Sequence, residues 1–227
     1  MEENKRLWGL ARRRQCLAPT WRGWLVLVLG LGLGVLAVGR GVYGFLAVTK
    51  PVPGGLLVIE GWAPDYAMQA AIAEFATHHY DRLMVIGGPL ENGSPLSEYH
   101  TSAEMGAAVL VRFGMNSNDV QAVPAPLVRQ DRTYVSGVAL REWLRVHNET
   151  ATRINLISLG PHARRSWMML EQALGRQFTV GVISLDSKDY ESEHWWRSSA
   201  GFRAVVDETV AYVYARVLFR PPKEAKP

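Results

Sequence analysis

The chain predicts an α/β fold: helices on both faces of a mostly parallel sheet of about five strands, three layers in all, preceded by one transmembrane helix. Two observations carry the sheet. Short β-branched apolar runs alternate with longer stretches of helical periodicity between residues 56 and 219. Each short run is closed by Gly, Pro or a polar residue. A third observation carries the membrane helix: the whole formal charge of +4 sits ahead of an apolar run near the N-terminus.

Residues 1–22 form the basic segment. Lys5, Arg6, Arg12, Arg13, Arg14 and Arg22 outweigh Glu2 and Glu3, and the other 205 residues balance 19 basic against 19 acidic side chains. The basic pI therefore does not mark a nucleic-acid surface, and the chain is expected to bind no nucleic acid. A basic flank before an apolar run is the positive-inside signature. It puts the N-terminus in the cytoplasm and the following domain outside, on a single-pass protein of the inner (cytoplasmic) membrane.

The anchor is read as residues 23–48. Its uncharged stretch, Gly23 to Gly39, has 17 residues, at the short end of the roughly 17–25 that span a bilayer. Reading on to Val48 lengthens it, with Arg40 snorkelling to the interface. Trp21, Trp24 and Tyr43 suit the two headgroup regions. A cleaved signal peptide with its site at Ala37-Val38-Gly39 is the competing reading. Gly30 and Gly34 make one G-x-x-x-G spacing, which allows a homodimer through the anchor. The sole cysteine, Cys16, lies in the basic segment, so the exported part has no disulfide, zinc–thiolate site or thiol nucleophile.

Residues 49–55 are a Pro/Gly linker, 56–219 the folded domain, and 220–227 a polar, Pro-rich tail expected to be disordered. Strands are expected at Leu56–Ile59, Leu83–Ile86, Val120–Val123, Ile154–Leu159 and Phe178–Ile183. Helical patterns fill Tyr66–His79, Tyr99–Phe113, Thr133–His147 and Ala163–Leu174, and a last amphipathic pattern runs Phe202–Leu218. This alternation makes the domain Rossmann-like, with right-handed crossovers. Asp65 is expected either to cap the helix it precedes or, with Glu60, to serve as acid and base or bind a metal; Asp131 or Thr133 is expected to cap the Thr133–His147 helix, with catalysis the alternative for Asp131.

Ligands in such sheets bind beyond the carboxyl ends of the strands, and the unusual residues gather there. Glu60-Gly61-Trp62-Ala63-Pro64-Asp65 follows the first strand. Gly87-Gly88-Pro89 follows the second, then a loop with Glu91, Asn92 and Glu98. Arg129 to Tyr134 follows the third, Gly160-Pro161-His162-Ala163-Arg164-Arg165 the fourth, and Asp186 and Asp189 the fifth.

At these residues the chain resembles the YdcF/SanA/ElyC-like family, also called domain of unknown function 218, over roughly residues 55–218. The resemblance rests on Gly87-Gly88 after the second strand, Gly114 near the end of a helix, Arg132-Thr133-Tyr134 opening the next helix, and His162 with Arg165 after the fourth strand. Glu60-Gly61-Trp62 and Trp195-Trp196-Arg197-Ser198-Ser199 look like a membrane-anchored branch. One departure is plain: the family's Ser-Glu-Ala aligns with Thr101-Ser102-Ala103, so Ser102 stands at the carboxylate position, and either Glu98 or Glu104 takes over that role or the role is absent. The resemblance implies a Rossmann-like domain connected with bacterial envelope (cell wall) biogenesis, and no particular reaction.

Gly160-Pro161-His162 ends a strand and opens a helix, an arrangement that suits an anion. His162 and Arg165 are spaced to share a helix face, and an arginine fork matches a phosphate. Candidate ligand-binding residues are thus Gly87, Gly88, Arg132, Thr133, His162 and Arg165. Glu60, a carboxylate directly after a buried strand, and His162 are the candidate catalytic pair. His spacings point to no metal, no cofactor is indicated, and H-x-x-E-H, P-loop and G-x-S-x-G motifs are absent. The expected function is binding, or binding and processing, of an anionic or phosphorylated glycan or lipid-linked intermediate. The alternative is a non-catalytic envelope sensor or scaffold.

Overall fold

The computed structural model describes residues 19–91 and 94–222. Most of the basic segment, Cys16, Asn92 and residues 223–227 of the tail lie outside the described residues. The first helix, α1, spans Trp21–Leu46, and the boundary between two compact units falls inside it, after Gly39. With 26 residues it is about 39 Å long. Its apolar window has a mean hydropathy of 2.2 and no buried residue, so it is long and apolar enough to cross a membrane.

The second unit holds a five-stranded, all-parallel sheet: β1 Leu56–Glu60, β2 Arg82–Gly87, β3 Val120–Pro124, β4 Arg153–Leu159 and β5 Thr179–Leu185, in the order β3-β2-β1-β4-β5. The helices between them are α2 Asp65–Thr77, α3 Ser102–Arg112, α4 Arg132–Val146 and α5 His162–Leu174, with α6 Ser199–Val217 after β5. The expected α/β/α architecture and every expected strand and helix are present. Alternation within β1 explains the layers. Leu56 and Val58 join the core under α4 and α5, while Leu57 and Ile59 join the core under α2 and α3. Both faces are covered, so the strand is buried at all five positions.

Strand order places the site. The chain builds outward from β1 to β3, then returns to add β4 on the other side of β1. The crevice at that reversal lies between the carboxyl ends of β1 and β4. Helix α3 is seated hard against this end: a Cβ on Gly61 would meet the Ser102 carbonyl oxygen at 2.1 Å, and one on Gly106 would come within 3.0 Å of the Gly61 Cα. The N-terminus of α3 is closed by a capping box between Thr101 and Glu104.

Residues 49–55 are tied to the sheet. Lys50 pairs with Val182 on the β5 edge, and the buried Asn155 amide accepts from Val52 N–H and donates to Val52 and Gly54 carbonyls. They cover an edge that would otherwise offer unpaired backbone groups.

Two capping expectations are corrected. Pro64, not Asp65, takes the N-cap position of α2, and Asp65 is its first helical residue, where the helix dipole favours a carboxylate. At α4 neither Asp131 nor Thr133 caps. Asp131 holds the N-cap position with left-handed backbone (φ 57°), and its side chain makes no cap hydrogen bond. Aspartate tolerates this conformation better than most residues, and its carboxyl is left to face elsewhere.

Candidate functional site

A cavity of about 790 Å³ opens at the strand reversal, within the roughly 300–1,000 Å³ typical of ligand pockets. Glu60, Gly87, Gly88, Arg132, Thr133, His162 and Arg165 all line it, so the structure brings every candidate residue to one place. Glu60 is the last residue of β1, not the first of the loop, and is only 5 % exposed. His162 and Arg165 sit one turn apart at the start of α5.

These residues form a row of alternating charge. His162 Nε2 lies 3.4 Å from both Glu60 oxygens, and Nδ1 lies 2.6 Å from Glu208 Oε1. Arg165 donates through Nε (2.7 Å) and Nη2 (2.9 Å) to Glu208. Arg165 Nη2 also approaches His162 Nδ1 at 2.9 Å. An imidazolium Nδ1 has no lone pair to accept with, so the Arg165 proton goes to Glu208 and Nδ1–H donates to the same carboxylate. The Ser158 hydroxyl lies 3.5 Å from Glu60 Oε2, and the Trp62 ring stands edge-on to His162 at 5.3 Å, itself half exposed.

Burial alone would push the His162 imidazole down. The facing carboxylates of Glu60 and Glu208 outweigh it and raise the group from 6.5 to about 9. Burial also opposes ionisation of Glu208, but hydrogen bonds from His162 and Arg165 win and hold its carboxyl at about 2, below its ordinary 4.5. Burial pushes the Asp131 carboxyl up, and the nearby Arg165 draws it partly back.

The stability contributed by His162 is complete below about pH 6.5 and is lost as pH rises through about 9; that of Glu208 is complete above about 4.5 and is lost as pH falls through about 2. Urea-unfolding midpoints of the detergent-solubilised chain should therefore plateau between these limits and decline on both sides. His162→Gln should flatten the alkaline decline. An equal decline in wild type and variant would mean that His162 is not held charged.

The row changes what Arg165 does. Read from sequence as a phosphate ligand, it has its fork filled by Glu208. The cations facing the cavity with more freedom are Arg132, in an exposed ion pair with Glu91, and Arg129, which makes no ion pair among the described residues. An exposed pair of this kind is worth about 1 kcal/mol or less, so a ligand anion can displace Glu91. Gly87 and Gly88 also part company. A Cβ on Gly87 would meet the Ser102 hydroxyl at 2.1 Å, whereas one on Gly88 meets nothing within 3.8 Å. Gly87 is therefore a packing glycine and Gly88 has room. Of the carboxylates that could replace the one missing at Ser102, Glu104 is engaged in the capping box and Glu98 is exposed.

Sequence reasoning misses Glu208, and it places Trp62 at the rim without giving it a role. A signal for Glu208 exists: Gly201, Val205, Glu208, Tyr212 and Ala215 follow one another at spacings of three and four, so one carboxylate interrupts the inward stripe of α6. No group of three or more metal-ligating side chains occurs among the described residues. Compared with known proteins, the chain matches no protein-family model and no curated protein.

Proposed function

We propose that the chain is a membrane-anchored member of the YdcF/SanA/ElyC-like family that acts in bacterial envelope biogenesis. It binds and processes a glycan or lipid-linked intermediate carrying a phosphate or similar anion. The observation behind this reading is the largely buried Glu60–His162–Glu208–Arg165 row opening on a ligand-sized cavity at the strand reversal. In it Glu60 is the cavity-facing base, taking a proton from a substrate hydroxyl or a water. His162, charged at neutral pH, keeps Glu60 oriented and compensates its charge. Arg132 and Arg129 hold the anion by their forks, and the half-exposed face of Trp62 offers a platform for a sugar ring.

The test is a turnover and binding screen of phosphorylated sugars and prenyl-phosphate-linked glycans against wild type and Glu60→Gln. Glu60→Gln should bind the ligand as wild type does and slow product formation by about 10²–10⁴-fold, the usual scale of general-base catalysis. Unchanged product formation in Glu60→Gln would sink the assignment.

A second reading, an envelope sensor that signals through its anchor, is favoured by one contact. Arg164, beside Arg165 in the first turn of α5, donates to the Phe45 carbonyl oxygen, and its guanidinium lies 4.0 Å from the Phe45 ring centroid. The end of α1 is thus tied to the turn that carries the row. Ligand binding with no product from any phosphorylated candidate would select this reading.

The same proposal sets the domain outside the cytoplasmic membrane, with the N-terminus inside. A C-terminal reporter active only outside the cytoplasm should give signal in full-length fusions. A cytoplasm-active reporter working there would overturn the envelope assignment.

A further inference from the structure

The end of α1 and the segment Ser192–Arg197 line a second cavity of about 530 Å³, remote in sequence from the first. Arg40, Tyr43 and Gly44 come from the helix, and Glu193, Trp196 and Arg197 are among the residues of the facing segment. Two guanidiniums share this space, and neither Arg40 nor Arg197 makes an ion pair among the described residues. One carboxylate, Glu193, lines the cavity; of those beside it, Glu191 is 3.3 Å from His194 Nδ1 and Asp186 accepts from the Tyr43 hydroxyl. Two arginines therefore face a single lining carboxylate.

The aromatic residues beside it are arranged as a wall with an exposed lip. Trp195 is buried, and Trp196 stands edge-on to it at 5.7 Å and is 41 % exposed. Phe202 lies 6.1 Å from Trp195 and is half exposed. Paired arginines beside exposed Trp and Phe match an amphiphile with an anionic head better than a free anion, which has no use for an apolar lip. Chain continuity supplies the source. Arg40 directly follows the uncharged stretch ending at Gly39, so at about 1.5 Å rise per residue it cannot stand far from the end of that stretch. Headgroup depth is where Trp, Tyr and Arg are favoured.

We propose that this cavity binds the phosphate headgroup of an anionic phospholipid from the bilayer that α1 crosses. Arg40 and Arg197 fork the phosphate oxygens, and Trp196 and Phe202 lie against the glycerol and upper acyl chain. The proposal rests on the reading of α1 as a membrane anchor.

Full-length protein is reconstituted into phosphatidylcholine vesicles containing a minority of phosphatidylglycerol, with one photoactivatable lipid of either headgroup, and the adducts are mapped by peptide. Photoactivatable phosphatidylglycerol should label residues 192–202 in preference to the phosphatidylcholine probe. Arg40→Gln with Arg197→Gln should reduce that labelling on the order of tenfold, the scale of a lost charge-assisted contact. Adducts on the basic segment at residues 1–22 should be unchanged and serve as the internal control. Trp196→Ala, which keeps both arginines, should also reduce it. Equal labelling by both headgroups, or undiminished labelling in the double arginine variant, overturns the site. Full competition by inorganic phosphate overturns the lipid as occupant and leaves a free-anion site. Carbonate extraction separates this failure from that of the anchor: a wild-type chain released by carbonate overturns the anchor reading itself.

Discussion

Glu208→Ala is expected to destabilise the domain by about 3 kcal/mol, the lower end of the range for removing one partner of a buried ion pair. The lower end applies because Glu208 and Arg165 keep 17 % and 19 % of their side-chain surface in water. The variant leaves His162 and Arg165 facing each other with Glu60 and the more distant Asp131 to balance them, and the His162 imidazole loses one of the two carboxylates that hold it up. Its pKa should fall relative to wild type. Arg165→Met combined with Glu208→Leu removes one charge of each sign and leaves the Glu60–His162 pair intact, so it should regain most of the loss. Equilibrium urea unfolding of the detergent-solubilised chain measures all three proteins. A loss below about 0.5 kcal/mol for Glu208→Ala, the range of ordinary surface changes, would mean that the row is a solvated surface pairing.

Gly61→Ala should be at least as costly, about 3 kcal/mol, at the top of the usual overpacking range. The new Cβ would lie 2.1 Å from the Ser102 carbonyl oxygen, 2.5 Å from its carbon and 2.8 Å from Ala103 N. All three are backbone atoms of the first turn of α3, so no rotamer change relieves the clash and the helix must shift. Gly87→Ala differs in kind, because its nearest obstacle is the Ser102 hydroxyl, and Ser102→Gly should relieve it in a double-mutant cycle. Gly88→Ala should be close to neutral for stability, with nothing nearer than 3.8 Å. Thermal melts of the five variants, the two singles of the cycle and its double included, test this ranking. A Gly61→Ala protein that melts with wild type would show that α3 is not seated on the carboxyl end of β1. Loss of ligand binding in Gly88→Ala, with stability unchanged, would show that a ligand approaches the backbone there.

Local pattern was enough for the elements and the layers. The β-branched runs could only be buried strands, the helical periodicity could only cover them, and the one-sided charge beside Gly23–Gly39 marked the apolar helix. It also determined which residues crowd the rim, because the carboxyl ends of parallel strands must lie on one side. Partners came from the assembled fold. Periodicity says which side of a helix faces inward but not which element it meets, so nothing local showed that α6 would lie along α5 and bring Glu208 to His162 and Arg165. The same holds for Arg164 on Phe45, for the Trp62 ring against His162, and for Gly87, whose missing side chain makes room for Ser102. A buried charge is satisfied by whatever the fold delivers across a gap of about 3 Å, and that contact, between residues far apart in the chain, leaves no periodic trace in the sequence.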